Sequence, residues 1–295
     1  MIKKLFILCA FLLFCATSVA QNAITIDAFL DVETKTISIT QSIVYKNTTK
    51  DTLREIYLND WNNSYSTKTT PLAKRFEEEY STKFHLAKSE QRGYTIITSI
   101  KDQTGQRLEY NNLIEHPDII KVVLKTPLQP GANYNLNLAY ILLIPDATFT
   151  DYGFTKSKDF DLKYWYITPA VYNGKWNYYS NKNLDDLFVP KSDVTINITH
   201  PLNYKTTSEL DFVATSPNIT NRTQTTTLHG KDRIDTYLSL NKLPRYGFVQ
   251  IDDFILISNI NEQGLPGSNK AILTDKITRF LAKNLGVYPH KQLLV

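Results

Sequence analysis

Residues 23–45 read AITIDAFLDVETKTISITQSIVY, and apolar and polar side chains alternate in two runs, 23–30 and 36–45. A period of two is that of a β-strand with one buried and one exposed face. Many short strands of this kind, separated by turn-forming residues, predict a mainly β protein with an antiparallel saddle or sandwich. Comparable alternating runs recur at 93–100, 119–124, 134–143, 193–199, 223–229 and 233–240.

One helix is predicted inside the β region, at 70–80. Thr70 is a good capping residue, and Pro71 suits the first helical position because its fixed φ is already helical. Leu72, Phe76 and Tyr80 are spaced four apart and are expected to share one face of this helix.

The pattern changes after residue 244. A strand is expected at 248–258, a helix at 271–285 with Gly286 as its stop, and a second strand at 291–295. Strand, helix and strand in this order predict the beginning of an α/β unit. We therefore expect a β domain at 21–244 and the start of a second domain at 245–295. The helix carries an apolar stripe formed by Ile272, Leu273, Ile277, Phe280, Leu281 and Leu285.

The first twenty residues predict a secretory signal peptide. Lys3 and Lys4 precede an apolar run at 5–16, and small residues lead to a cleavage site after Ala20. The alternative, a membrane anchor, is disfavoured because the run is shorter than the ~20 residues that span a bilayer. The expected mature protein is exported, periplasmic or extracellular, with no membrane attachment. Both cysteines of the chain lie in this segment, so we expect no disulfides.

Composition and motifs favour neither nucleic-acid binding nor catalysis by this chain alone. The formal charge is +4, from 33 basic and 29 acidic residues, and no basic block stands out. No G-x-S-x-G elbow or Gly-rich phosphate loop is present. No two histidines are three or four residues apart, so no helix can present a pair to one metal. We expect no catalytic residue, no metal ligand and no cofactor here.

Three further stretches carry a family resemblance. They are LREIYLNDWNNSY at 53–65, WYITPAVYNGKWNYYSNKNLDDLFVPKSDVTINITHP at 165–201, and ITRFLAKNLGVYPHKQLLV at 277–295. In this order they resemble the N-terminal part of aminopeptidase N-like zinc metallopeptidases, the gluzincin family, and most closely its exported bacterial members. The resemblance implies a β-saddle followed by a thermolysin-like catalytic domain whose H-E-x-x-H zinc motif lies further along. This chain stops before that motif, so it is expected to be a truncated piece of a longer enzyme, with zinc in the following domain.

The resemblance also suggests candidates for the substrate cleft: Trp165, Tyr166, Thr168 and Trp176. In typical aminopeptidases this segment supplies a glutamine or glutamate, just before a proline, that holds the free amine of the substrate. Here Tyr166 and Thr168 occupy those positions, and neither offers a carboxylate. The alternative role for these side chains is packing between the saddle and the catalytic domain.

Two functions are therefore compared. The first is the non-catalytic N-terminal module of a secreted zinc metallopeptidase, which shapes the cleft for a peptide or protein substrate. The second is a free-standing exported β-sandwich that binds protein or carbohydrate through its many tyrosines. The segment 248–295 favours the first, since a complete binding module has no use for a lone strand–helix–strand unit.

Overall fold

The computed structural model describes residues 22–183, 187–251, 254–259, 267–286 and 288–294. The predicted signal peptide at 1–20 lies outside these residues. The strands are β1 Asn22–Asp31, β2 Thr36–Lys46, β3 Leu53–Asn59, β4 Tyr94–Lys101, β5 Glu109–Asn112, β6 Ile119–Leu128, β7 Asn133–Leu143, β8 Gly153–Phe154, β9 Phe160–Lys163, β10 Thr168–Pro169, β11 Val171–Tyr172, β12 Trp176–Asn177, β13 Ser192–Pro201, β14 Lys205–Ser208, β15 Asp211–Asn218, β16 Thr223–Arg233, β17 Tyr237–Asn241, β18 Gly247–Ile251, β19 Phe254–Ser258 and β20 Gln292–Leu294. The α-helices are α1 Pro71–Glu78, α2 Lys83–Leu86 and α3 Gly267–Leu285, and 3₁₀ turns occur at Trp61–Tyr65 and Ser89–Gln91.

A seven-stranded sheet in the order β15-β16-β13-β1-β2-β7-β4 forms the largest layer. The two alternating runs that open the sequence are its neighbouring strands β1 and β2, paired antiparallel with Leu30 opposite Ile37. All its pairs are antiparallel except β1 with β13. The predicted mainly β, antiparallel architecture is thus confirmed, with one parallel pair that local patterns could not indicate.

The core lies between this layer and two four-stranded sheets, β10-β3-β6-β5 and β14-β17-β9-β8. On β1 and β2 every second side chain is buried, as the alternation requires. The small sheets contribute the facing apolar side chains Ile56, Leu58, Ile120, Val122, Phe160, Leu162, Leu238 and Leu240. Gln41 is an exception, since it is a polar residue on the buried face of β2.

Helix α1 confirms the helix predicted at 70–80. The Thr70 hydroxyl accepts the backbone N–H of Ala73 at 3.2 Å, as a capping residue should. Leu72 and Phe76 are buried, but the placement of Tyr80 on the same face was wrong. The helix ends at Glu78, and Tyr80 has a left-handed φ of 56° and is 94% exposed.

The segment after residue 244 forms a separate three-stranded sheet, β18-β19-β20. The single strand predicted at 248–258 was wrong, because β18 and β19 pair antiparallel with Gly247 opposite Ser258. In sequence, Asp252 and Asp253 separate two apolar runs there, and strands disfavour aspartate. Strands β19 and β20 are parallel and joined through α3, so they form the expected βαβ unit. None of the helices in the described ranges is long and apolar enough to cross a membrane.

Candidate functional site

The cleft candidates of the 165–169 segment are buried in the saddle. Trp165, Tyr166 and Thr168 are each less than 8% exposed, and the first two rings contact each other edge to face at 5.5 Å. Trp176 is half-buried and lies in a different aromatic cluster, where its ring is 5.5 Å from that of Tyr57. The structure therefore brings together three of the four candidates and separates the fourth from them.

A buried hydrogen-bond network fixes the backbone of this segment. Gln41 donates its side-chain amide to the carbonyl of Ile167 at 2.6 Å and accepts from the Tyr140 hydroxyl. The N–H of Ile167 donates in turn to the Tyr140 oxygen at 3.3 Å. On the other side, the Asn59 amide is 3.4 Å from the carbonyl of Pro169. Because these polar groups are enclosed and partnered, the segment is held rigidly.

Gln41 was not identified from the sequence, although a signal for it exists. It occupies a position where the alternation of β2 demands an apolar side chain. A polar residue on a core-facing position must find a buried partner, and here that partner is the segment at 165–169.

A cavity of about 330 Å³ opens beside Trp165. Part of its wall is aromatic: the rings of Trp61 and Tyr164 meet edge to face at 4.7 Å. Tyr164 has a left-handed φ of 54°, a conformation that costs a non-glycine residue about 1–3 kcal/mol and is common at functional sites. The other lining residues are Asn62, Tyr65, Leu142, Ile144, Pro145, Tyr152, Gly153, Asp161, Leu162, Lys163, Asn181 and Asn183.

The two charged side chains of the cavity wall are compensated by neighbours. The Lys163 ammonium is 3.5 Å from the Asp235 carboxylate and lies 4.7 Å from the centre of the Tyr164 ring. Burial lowers the pKa of Lys163, but the hydrogen bond with Tyr164 and the charge of Asp235 outweigh it, so the pKa lies above its usual value. Asp161 accepts from Arg245 at 2.9 Å, and further donors occupy its other oxygen.

One buried polar group near the cavity has no partner among the described residues. The indole N–H of Trp165 is buried and makes no hydrogen bond within the described residues. By contrast, the indole N–H of Trp61 donates to the carbonyl of Tyr179 at 2.9 Å. A buried donor without an acceptor costs about 1–3 kcal/mol, so such a group requires an explanation.

A chain of Asp118, Ser180 and His116 lies close to the cavity. The Ser180 hydroxyl donates to Asp118 Oδ1 at 2.7 Å, and His116 Nδ1 is 2.8 Å from the Ser180 oxygen. In a hydrolytic triad the histidine stands between the acid and the serine and takes the serine proton. Here the serine stands in the middle and its proton is directed to the carboxylate. The arrangement therefore provides no activated nucleophile. We interpret it as a set of hydrogen bonds that holds the loop around Asn181 in place.

The described residues contain no group of three or more His, Cys, Asp or Glu side chains placed to hold a metal ion. A catalytic zinc site needs three protein ligands and an open position for water. The described side chains therefore do not meet this requirement for a zinc site.

No family model and no curated protein matches this sequence. Solved structures are similar in fold. The M1 zinc metallopeptidase from Deinococcus radiodurans is 14% identical with a TM-score of 0.54, covering 92% of this chain and 54% of that one. A mutant of that enzyme bound to a Tyr-Ser-Ala substrate gives the same values. A two-domain M1 zinc metallopeptidase mutant bound to L-tryptophan has a TM-score of 0.54 and is 14% identical, covering 93% of this chain and 56% of that one.

At this identity the likeness shows the fold. The chain's β architecture is that of the N-terminal β domain of M1 zinc metallopeptidases, so the resemblance noted in the sequence is confirmed at the level of the fold. The chain spans about half the length of the solved structures that it matches.

Proposed function

We propose that this chain is the non-catalytic β module of an exported zinc metallopeptidase, and that it forms one wall of the cleft that binds peptide substrate. The catalytic zinc would belong to another domain, in the same polypeptide or in a separate one. The fold similarity to M1 metallopeptidases supports this assignment.

The observation that carries the proposal is the exposed apolar stripe of α3. All six residues predicted to form it are between 43% and 81% exposed: Ile272, Leu273, Ile277, Phe280, Leu281 and Leu285. An amphipathic helix normally buries its apolar face, and exposed patches of this kind mark interaction sites. Because α3 belongs to the segment 245–295, which is expected to begin a second domain, the rest of that domain would cover this face, whereas a self-sufficient binding protein would cover it by itself.

Peptides are the proposed substrate class, because solved neighbours include a complex with a Tyr-Ser-Ala substrate. Strict aminopeptidase specificity is not part of the proposal. The resemblance places an amine-holding acceptor at the position of Thr168, yet this side chain is buried and lies 3.5 Å from the Asn59 amide. An enzyme built on this module would need another group to hold a free amine.

Export and domain organisation are also part of the proposal. The charged and apolar pattern of 1–20 supports cleavage and secretion. The change from the saddle to the βαβ unit supports a boundary near residue 244.

A pair of matched variants on α3 tests the proposal in the natural gene product, purified by an affinity tag from its own host. Phe280 lies within the stripe, and Asp275 lies on the opposite side of the helix, where it pairs with Arg279. We expect Phe280→Ser to lower hydrolysis of Tyr-Ser-Ala at least tenfold and Asp275→Ser to leave it unchanged. Equal activity of wild type and Phe280→Ser, or no hydrolysis of any peptide by the wild type, would contradict the proposal that this chain is a module of a peptidase.

The alternative function, a free-standing protein- or carbohydrate-binding sandwich, makes the opposite prediction. In that case the purified protein would hydrolyse no peptide, and neither α3 variant would change its ligand binding.

A further inference from the structure

The segment 242–246 joins β17 of the saddle to β18 of the separate three-stranded sheet, and its contacts meet at one buried carboxylate. We propose that Arg245 and Tyr246 are positioning residues, which fix the orientation of the β18-β19-β20 sheet on the saddle through Asp161. This inference rests on the proposed peptidase function, because that orientation aligns the cleft wall with the catalytic domain that this sheet is proposed to begin.

Asp161 has a fixed position on the saddle side. It lies on β9, which is paired on both sides, with β8 and with β17. One carboxylate oxygen accepts the hydroxyls of Tyr237 at 2.8 Å and of Ser239 at 2.6 Å. A buried and fully bonded carboxylate of this kind is a rigid anchor, and its second oxygen remains for a partner from another segment.

Arg245 supplies that partner from the connecting segment. Its Nη1 is 2.9 Å from Asp161 Oδ2 and 4.0 Å from Asp159 Oδ2. Both carboxylate side chains are less than 8% exposed. A buried carboxylate that loses its cation is left without compensation, which is costly, so the guanidinium is strongly favoured at this place over solvent.

Tyr246 reaches the same carboxylate through Tyr237. The two tyrosine hydroxyls are 2.9 Å apart. Because Tyr237 donates its proton to Asp161, it accepts the proton of Tyr246. Burial raises the pKa of Tyr237 far above its usual value, and Tyr246 and Asp161 add to this rise, so the central hydroxyl keeps its proton at physiological pH. Two consecutive residues of the connecting segment are thus bonded to one anchor.

Apolar packing contributes little to holding residues 242–244. Leu243 is 75% exposed, and Lys242 and Pro244 are exposed as well. The backbone N–H of Lys242 donates to Asp159 Oδ1 at 3.0 Å. The polar contacts with β9 and β17 therefore determine the direction in which the chain leaves the saddle.

A further contact lies at the other end of the separate sheet, just before β20. Burial raises the pKa of the Tyr288 hydroxyl, and the charge of Arg233 and its hydrogen bond with Tyr288 oppose this rise. Arg233 belongs to β16 of the saddle and is 6% exposed. Because this contact remains when Arg245 is replaced, we expect the replacement to tilt the sheet on the saddle without releasing it.

The kinetics of Tyr-Ser-Ala hydrolysis by the natural gene product, purified from its own host, test the proposal. Arg245→Ala should lower kcat/KM about tenfold or more, mainly through kcat, because a misplacement of about 1 Å can cost about a hundredfold while the groups that bind substrate are unchanged. Arg245→Lys keeps a cation that can donate to Asp161, and it should recover most of the activity. Lys242→Ala is the matched control and should behave as wild type, since this cation lies over the Tyr204 ring in the same segment.

Tyr246→Phe is a milder change that leaves the ion pair of Arg245 in place, and it decides the question if Arg245→Ala does not fold. It should lower kcat about two- to tenfold, the range for one neutral hydrogen bond. Hydrogen exchange followed by mass spectrometry should become faster at 242–247 in this variant and stay unchanged in β9 and β17.

The possible failures of this inference and of the peptidase function are distinguishable. An active wild type together with unchanged kcat in Arg245→Ala and Tyr246→Phe would overturn the positioning role alone. So would a loss confined to KM, or an equal loss in Lys242→Ala. A wild type that hydrolyses no peptide would overturn the proposed function, and the positioning role with it.

Discussion

Asp60 provides the sharpest test of how this fold tolerates its buried polar groups. It is 2% exposed, one carboxylate oxygen accepts the Thr95 hydroxyl at 2.7 Å, and the other oxygen has no partner within the described residues. Burial raises the pKa of Asp60 to about 7; the bond from Thr95 opposes this rise, and the nearby charge of Asp118 adds to it. In the unfolded chain the pKa of an aspartate is about 3.9.

The sign of the pH dependence follows from these two values. Between pH 4 and pH 7 the folded protein holds a proton on Asp60 that the unfolded chain has released. The free energy of unfolding must therefore fall as pH rises through this window, by up to about 1.4 kcal/mol per pH unit. Over about three pH units the free energy of unfolding falls by about 4 kcal/mol at most, and this contribution of Asp60 is fully lost above pH 7.

Asp60→Asn keeps the shape of the protonated acid but cannot ionise. We expect the variant to match wild type near pH 4.5 and to be more stable by about 2–4 kcal/mol at pH 8. Urea unfolding followed by tryptophan fluorescence at pH 4.5, 6, 7 and 8 measures this difference, with the exposed Asp27→Asn as control. Glu209 adds to the wild-type slope in the same direction, because burial raises its pKa to about 7 as well. A wild-type stability that is flat from pH 5 to 7.5, or a variant with the wild-type slope, would refute the reasoning.

Three further substitutions are expected to lower the stability of the folded protein, and the shift of the urea midpoint measures each loss. Thr70→Ala removes the N-cap of α1 and should cost about 1 kcal/mol, whereas Thr69→Ala, one residue earlier, should cost little. Gln41→Leu leaves the buried Tyr140 hydroxyl and the Ile167 carbonyl without their shared partner, and should cost about 2–4 kcal/mol. Gly153→Ala should destabilise most, because the residue has a φ of 128° and an added Cβ would lie 2.1 Å from a backbone carbonyl oxygen; failure to obtain soluble protein is the expected extreme.

The long strands could be predicted from the sequence because their pattern is local. Strands β1, β2, β7 and β13 each alternate over ten or more residues, and one face of each is buried. The parallel pairing of β1 with β13 could not be predicted, since it joins residues about 170 positions apart. The short strands β8 to β12 are too brief to show any period.

The candidate site was only partly predictable for a similar reason. The segment at 165–169 was identified through a family resemblance, but its buried hydrogen bond comes from Gln41, a residue more than 100 positions earlier. The cavity wall joins Trp61 with residues near position 163, and only the folded chain brings these together. The charge pairs that neutralise the wall are also distant in sequence, as with Asp161 and Arg245.

The zinc content of the natural gene product tests the central claim most directly. The protein would be purified from its own host with an affinity reagent that recognises residues 22–243. Its metal content would then be measured by mass spectrometry, without added zinc. We expect about one zinc per module, held by a catalytic domain that is either continuous with this chain or bound to it. A native protein of this sequence that is purified intact, with no zinc and no associated zinc-binding domain, would contradict the assignment to a zinc metallopeptidase.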